Sequence, residues 1–189
     1  MQTGHVGDYT IGHVPTRRGF DSFLGFWGGS QNYFSHANDF RENETYAQAK
    51  YNHQYSTTIF SDKAVDIIRA QPGTAGASPF FIYLAYQATH SPLQAPDFWL
   101  ARFNNTAYGP VAGSVDRQIF AAMAGCMDEG VGNISDALQA SPDVYASTVI
   151  FFSGDNGGQV TEGGSNWPLR GARPSDKHLF FDCAWGMLD

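Results

Sequence analysis

Cysteine is scarce in this 189-residue chain: two occur, Cys126 and Cys183. Neither stands in a C-x-x-C or metal-like spacing, so a disulfide framework or a zinc site gets no support. Charge is thin as well, at 15% of residues, with 11 Lys and Arg against 18 Asp and Glu and a net charge of −7. No basic stripe is visible, which speaks against a nucleic-acid partner. The longest unbroken apolar run, "FFIYLAY", has seven residues, far below the ~20 that a membrane-spanning helix needs. No charged-then-apolar segment opens the sequence as given, and no signal peptide is read here. What is abundant is core material, 42% hydrophobic and 15% aromatic. That is the make-up of a globular chain, and its length suggests one domain.

Residues 55–69, "YSTTIFSDKAVDIIR", place Ile59, Phe60, Ala64, Ile67 and Ile68 on one helical face, with Ser56 or Thr57 as N-cap. A Gly/Pro/Ser/Ala-rich connector follows Ala70. "FFIYLAY", residues 80–86, then reads as a buried strand running into the polar loop "QATHSPLQAP". A longer helix is expected over roughly Asp116–Gln139, where Ile119, Met123, Met127, Ile134 and Leu138 recur at near-helical spacing. Gly130 and Gly132 weaken its middle, and Cys126 reads as a small buried helix residue. "TVIFF", residues 148–152, is a second buried strand. Strand, helix, strand in this order is a βαβ unit, so an α/β fold with a parallel sheet covered by helices is expected. The first fifty residues, rich in Gly and aromatics, read as an irregular packed excursion with at most one or two short strands.

Both strands end in loops with chemistry. One carries His90; the other carries Asp155 and Asn156 ahead of Gly157 and Gly158. "DNGG" is turn chemistry, and it is equally a ligand loop at a strand's carboxyl end, where open α/β sheets collect ligands. Parallel strands would put both loops on one edge of the sheet. Asp155 and Asn156 offer the oxygen donors of a hard cation, though calcium takes about six to eight. Four of the eleven basic residues, Arg17, Arg18, Arg170 and Arg173, fall in two tight sites. They handle an anion there or serve as ordinary surface arginines.

Four segments carry a resemblance: "PTRRGFDSFLGFWGGSQNYFSH", "FFIYLAYQATHSPLQAP", "AAMAGCMDEGVGNI" and "SGDNGGQVTEGGSNWPLRGAR". In order and spacing they resemble the sulfatase family, and within it the arylsulfatase B type. The resemblance runs from His5 to Arg173. It implies an alkaline-phosphatase-like fold with a mixed, largely parallel sheet flanked by helices. It also implies hydrolysis of sulfate esters, on sulfated sugars or aryl sulfates, by a formylglycine nucleophile beside a calcium ion. By motif, Asp155 and Asn156 match the calcium-ligand pair. His90 matches the histidine at the leaving oxygen, a task suited to a side chain that titrates near neutrality. His5 matches the histidine that helps hold the formylglycine, and Arg173 stands where the family has a sulfate-binding lysine. Read without the family, His5 is more readily a surface histidine than a site residue, and His90 is equally a turn cap or a site residue; His13, His36, His53 and His178 match no motif and are read as structural.

The chain also departs from the family pattern. C-x-P-x-R and its serine form are absent, as are the paired aspartates that belong upstream of that motif. Gln2, Thr3 and Gly4 stand where the family has Gly-Lys-Trp. Residues 1–173 therefore read as the central part of a sulfatase catalytic domain, incomplete at both ends, with 174–189 as a divergent tail. Such a chain alone is expected to be poorly stable and inactive, a non-catalytic fragment or a module that binds sulfated glycans. N-x-S/T triplets begin at Asn43, Asn104 and Asn133, in keeping with the lysosomal or secreted setting that the family implies.

Overall fold

The computed structural model describes residues 10–72, 78–104 and 114–166. Where length suggested one domain, these residues form two compact units. One holds the residues up to Pro92 together with Gly125–Ser147; the other holds Leu93–Ala124 and the residues from Thr148 onward.

The Gly- and aromatic-rich opening of the first unit forms one strand more than expected. β1 (Leu24–Phe26), β2 (Phe40–Glu42) and β3 (Thr45–Tyr46) make an antiparallel sheet in the order β1-β2-β3. Phe26 faces Phe40, and Glu42 faces Thr45. The turn from β2 to β3 depends on Asn43, whose φ of 56° is left-handed. Asparagine tolerates that region better than most residues. Its N–H donates to the Phe23 carbonyl at 2.8 Å, and its Oδ1 accepts from the Phe23 N–H at 2.9 Å. The hairpin is thereby tied to the entrance of β1. On the sheet's other side, Arg41 lies 3.8 Å from the Trp27 ring centre and 3.9 Å from that of Tyr46, and it pairs with Asp39 at 2.6 Å. The Asp39 carboxylate also accepts the Trp27 and Gly28 N–H groups.

The short α1 (Gln48–Tyr51) is followed by helix α2 (Ser56–Arg69), which begins at the residue expected to cap it. Ile59, Phe60, Ala64 and Ile68 are buried as the period requires, and Val65 joins them. The capping expectation fails. The helix is capped by Tyr55 without a side-chain bond, and Ser56, its first residue, points its hydroxyl at Gln87. A partner from a distant segment outcompeted the local backbone. Pro72 lies just beyond the helix, where a missing N–H and a fixed φ oppose further turns.

Helix α2 has two packing partners along its length. Ile59 and Phe60 join Phe26, Phe40 and Ala47 in one cluster, while Val65 and Ile68 join Ala137 and Leu138 in another. Each fully buried side chain of this size contributes about 1.5–3 kcal/mol. The second cluster is supplied by α4 (Val115–Gln139), close to the predicted span. Met123 and Cys126 are buried there as expected. Gly130 is more than a weak point in the helix. It is buried, and a Cβ at that position would collide with Ser61 Oγ and come within 3.0 Å of the Tyr86 hydroxyl. It is where α4 and α2 come close. After α4, Pro142 opens α5 (Pro142–Ala146) in the position that proline favours.

The two expected strands are not observed as strands. Residues 80–86 carry no regular secondary structure, and burial alternates over 80–84. Phe80 and Ile82 pack on the second cluster and Leu84 and Tyr86 on the first, whereas Phe81 and Tyr83 are exposed by 77% and 50%. One face is covered and the other is open, in place of the burial on both faces that the apolar run suggested. Residues 148–152 likewise form no strand, and Val149, Ile150, Phe151 and Phe152 are all exposed. A ladder needs neighbours on which to close its hydrogen bonds. Among the described residues neither run is paired in one, so the expected parallel sheet is not formed among them.

In the second unit, α3 (Asp97–Asn104) follows Pro96, whose carbonyl accepts the Trp99 and Leu100 N–H groups. A short 3₁₀ turn, Val160–Glu162, follows the DNGG stretch.

Candidate functional site

His90 sits in a loop of the first unit that is shaped from behind. The Tyr33 hydroxyl reaches two carbonyls of that loop, Gln87 at 2.8 Å and His90 at 2.7 Å. The Gln87 side chain is itself held, its Oε1 accepting from Ser56 Oγ at 2.9 Å and its Nε2 donating to the Gln31 carbonyl. Burial pushes the Tyr33 phenol far above its ordinary range, so the hydroxyl remains a proton donor. The Ala88–Thr89 and Ser91–Pro92 peptide bonds are cis.

The His90 ring is exposed, with Nδ1 2.7 Å from the Ser91 carbonyl. A carbonyl only accepts, so the proton of the neutral ring belongs on Nδ1. Nε2 is left as the nitrogen able to take up a proton and deliver it. Neither Tyr33 nor Gln87 was singled out from sequence. A tyrosine among many aromatics and a glutamine before "ATH" carry no local signal of their shared task.

Asp155 and Asn156 are exposed at the start of a loop in the second unit. Asn156 Nδ2 donates to the Gly157 carbonyl at 2.9 Å, leaving its Oδ1 clear of that contact. The loop closes on itself: Asn166 Oδ1 accepts the Gly158 N–H at 2.9 Å, and the Gly164 N–H donates to the Gln159 carbonyl at 2.9 Å. A Cβ on Gly157 would stand 2.9 Å from Asn166 Nδ2, so the loop and that amide share a space made by the glycine. Gly163, at φ 81°, lies against the Asp116 carbonyl at the start of α4, and Arg117 Nη1 donates to the Gly163 carbonyl at 2.6 Å. The turn reading of DNGG is met, and the turn does not bury the two side chains on which the ligand reading rests. The turn is real, and it presents two oxygen-bearing side chains to solvent.

The oxygens of these two side chains suit a hard cation but do not fill its shell, which needs about six to eight. Among the described residues no group of three or more His, Cys, Asp or Glu is placed to hold a metal ion. The donors present fit one side of a calcium site. Of the remaining candidates, His5 and Arg173 lie outside the described residues, as do Arg170, Cys183 and His178. Arg17 is engaged structurally, in a two-pronged pair with Glu44 at 2.7 and 3.0 Å. His36 is fully buried and bonded through Nε2 to the Gln54 carbonyl, in keeping with a structural role. Asp155 and Asn156 are thus together on one loop, while His90 belongs to the other unit.

Comparison with known proteins gives these loops a context. The Sulfatase family profile matches residues 1–179. Arylsulfatase J of Mus musculus is 38% identical over 178 residues, which cover 89% of this chain and 28% of that protein. N-acetylgalactosamine-6-sulfatase of Homo sapiens is 29% identical over 189 residues, covering 87% of this chain and 32% of the relative. Among solved structures, Ps i-CgsB in complex with k-i-k-neocarrahexaose superposes with a TM-score of 0.73 at 33% identity, over 85% of this chain and 38% of that one. The chain belongs to the sulfatase family, and its fold is of that α/β class. It spans about a third or less of the length of the two named sulfatases. No helix among the described residues is long and apolar enough to cross a membrane.

Proposed function

We propose that this chain carries part of the catalytic domain of a sulfuric ester hydrolase of the arylsulfatase B type. The observation that carries the reading is the pair of motif loops within a chain-long family match. One presents Asp155 and Asn156 on a turn pinned by Asn166; the other presents His90 with Nε2 open. Asp155 and Asn156 are assigned to a calcium ion. When bound, that ion would neutralise charge on the sulfuryl oxygens. His90 is assigned to the leaving oxygen, where Nε2 of the imidazolium releases its proton as the S–O bond breaks. His5 is assigned to the nucleophile's surroundings, and Arg173 to the sulfate as a fixed cation, with a geometry unlike that of lysine. No C-x-P-x-R or S-x-P-x-R occurs in the 189 residues. A formylglycine nucleophile is therefore not supplied by this sequence, and no step through it is derived.

Segments 80–86 and 148–152 are assigned as strands of the largely parallel, alkaline-phosphatase-like sheet. The near-continuous apolar make-up of both runs supports this. Sulfated sugars are the favoured substrate class. One relative is named for a sulfated sugar, and one solved neighbour was captured with a sugar oligomer. A lysosomal or secreted, glycosylated protein is the setting that the family and the N-x-S/T triplets favour.

The missing nucleophile motif favours a second reading, a non-catalytic module that binds sulfated glycans. The two are separated by exchanging the matching segment of mouse arylsulfatase J for this chain and assaying an aryl sulfate with calcium or a chelator. Calcium-dependent turnover that falls by on the order of 10²–10⁴-fold in His90→Ala, and is lost in Asp155→Ala, supports the hydrolase. A folded chimera without turnover, or one indifferent to both substitutions, removes it. Binding of sulfated but not desulfated glycan by the chain alone would then favour the module.

A further inference from the structure

The β2–β3 hairpin holds an unused chemistry. Asn43, Glu44 and Thr45 form an N-x-T triplet, the acceptor pattern for an N-linked glycan. The pattern alone is weak, since Asn104 and Asn133 begin triplets too. The geometry is more selective. Asn43 and Thr45 are both exposed, at the tip of a two-residue hairpin turn. The Asn43 amide is held in one sense, its oxygen accepting the Phe23 N–H at 2.9 Å, so Nδ2 is the half left for chemistry. Glu44 does not compete for either neighbour, because its carboxylate is taken by Arg17 and by the Thr16 hydroxyl. Asn133, by contrast, lies within α4.

We propose that Asn43 is an acceptor for an N-linked glycan, an inference that rests on the secretory-route reading above. The donor is an oligosaccharide linked to a polyprenyl diphosphate. A bond forms between Nδ2 and the anomeric carbon of the first sugar. The bond from that carbon to the diphosphate oxygen breaks, polyprenyl diphosphate departs with the electron pair, and one Nδ2 proton passes to a base of the transferase. The product amide keeps Oδ1, so the Phe23 N–H keeps its acceptor and the hairpin keeps its tie to β1. The glycan projects from the turn without cutting that lock.

The full chain, translated into microsomes behind a cleavable signal segment, reaches the lumen whatever its own route. Occupancy is read by glycosidase-induced mass shift and peptide mapping. The expected result is a glycan on Asn43 that is lost in Thr45→Ala, which leaves the asparagine and its turn in place, and kept in Thr45→Ser. An unmodified Asn43 in the delivered chain overturns the site, whether or not Asn133 is modified. A glycan on Asn43 in microsomes, with none on the protein from its own cells, supports the acceptor and removes the secretory reading alone.

Discussion

Gly130 shows how one residue's meaning changes with its surroundings. Helix propensity alone favours Gly130→Ala by about 1 kcal/mol. The collision of the new Cβ with Ser61 Oγ opposes it, and overpacking of this kind costs about 1–3 kcal/mol. The variant is expected to be less stable than the parent, read as a lower urea midpoint; a higher midpoint would mean that α2 and α4 are not in close approach there. His36 gives a second test. Burial lowers its pKa, against the pull of the Gln54 carbonyl. As pH falls below about 6.5 the unfolded chain gains a proton on His36, while the folded chain resists until lower pH. Stability is therefore present in full above that pH and declines as pH falls toward 5, with a slope of at most about 1.4 kcal/mol per pH unit from this group. His36→Asn, which suits the positive φ of 50°, should flatten that part of the pH profile of the denaturation midpoint. An unchanged profile would show that His36 is not its source.

At the scale of elements, the loop that carries Asp155 and Asn156 is held by a residue from another segment. Arg117, in the first turns of α4, donates to the Gly163 carbonyl. Arg117→Met keeps much of the aliphatic stem and removes the donor. Hydrogen exchange across residues 157–166 is expected to speed up in that variant while exchange in α2 stays unchanged; equal protection in both proteins would show that the loop holds itself. Helices α2 and α4 were legible because each buries a stripe at the helical period. The cap of α2 was not, since Ser56 chose Gln87, and no local pattern announces a partner so far along the chain. The third strand depended on Asn43 reaching back to Phe23, also a distant partner.

At the scale of the whole molecule, the run Val149–Phe152 stands exposed. It combines β-branched and aromatic residues with no charge, and exposures run from 58% to 93%. Such a segment is an aggregation hazard. Ile150→Lys is expected to raise the soluble fraction of the purified chain after ultracentrifugation and to reduce binding of an apolar dye. If neither changes, the run is covered in solution.

Sequence by itself determined the family, the two long helices and the identity of the candidate groups, because periodicity and motif residues are local properties that survive without context. Tertiary structure alone decided which of those groups are presented and how. It turned the His90 ring through the Ser91 carbonyl, shaped its loop through Tyr33 and Gln87, and closed the DNGG turn with Asn166. It also left the run at 149–152 uncovered. Hydrogen bonds and burial are made with partners that lie far away in the chain, and a residue's own neighbours do not name them.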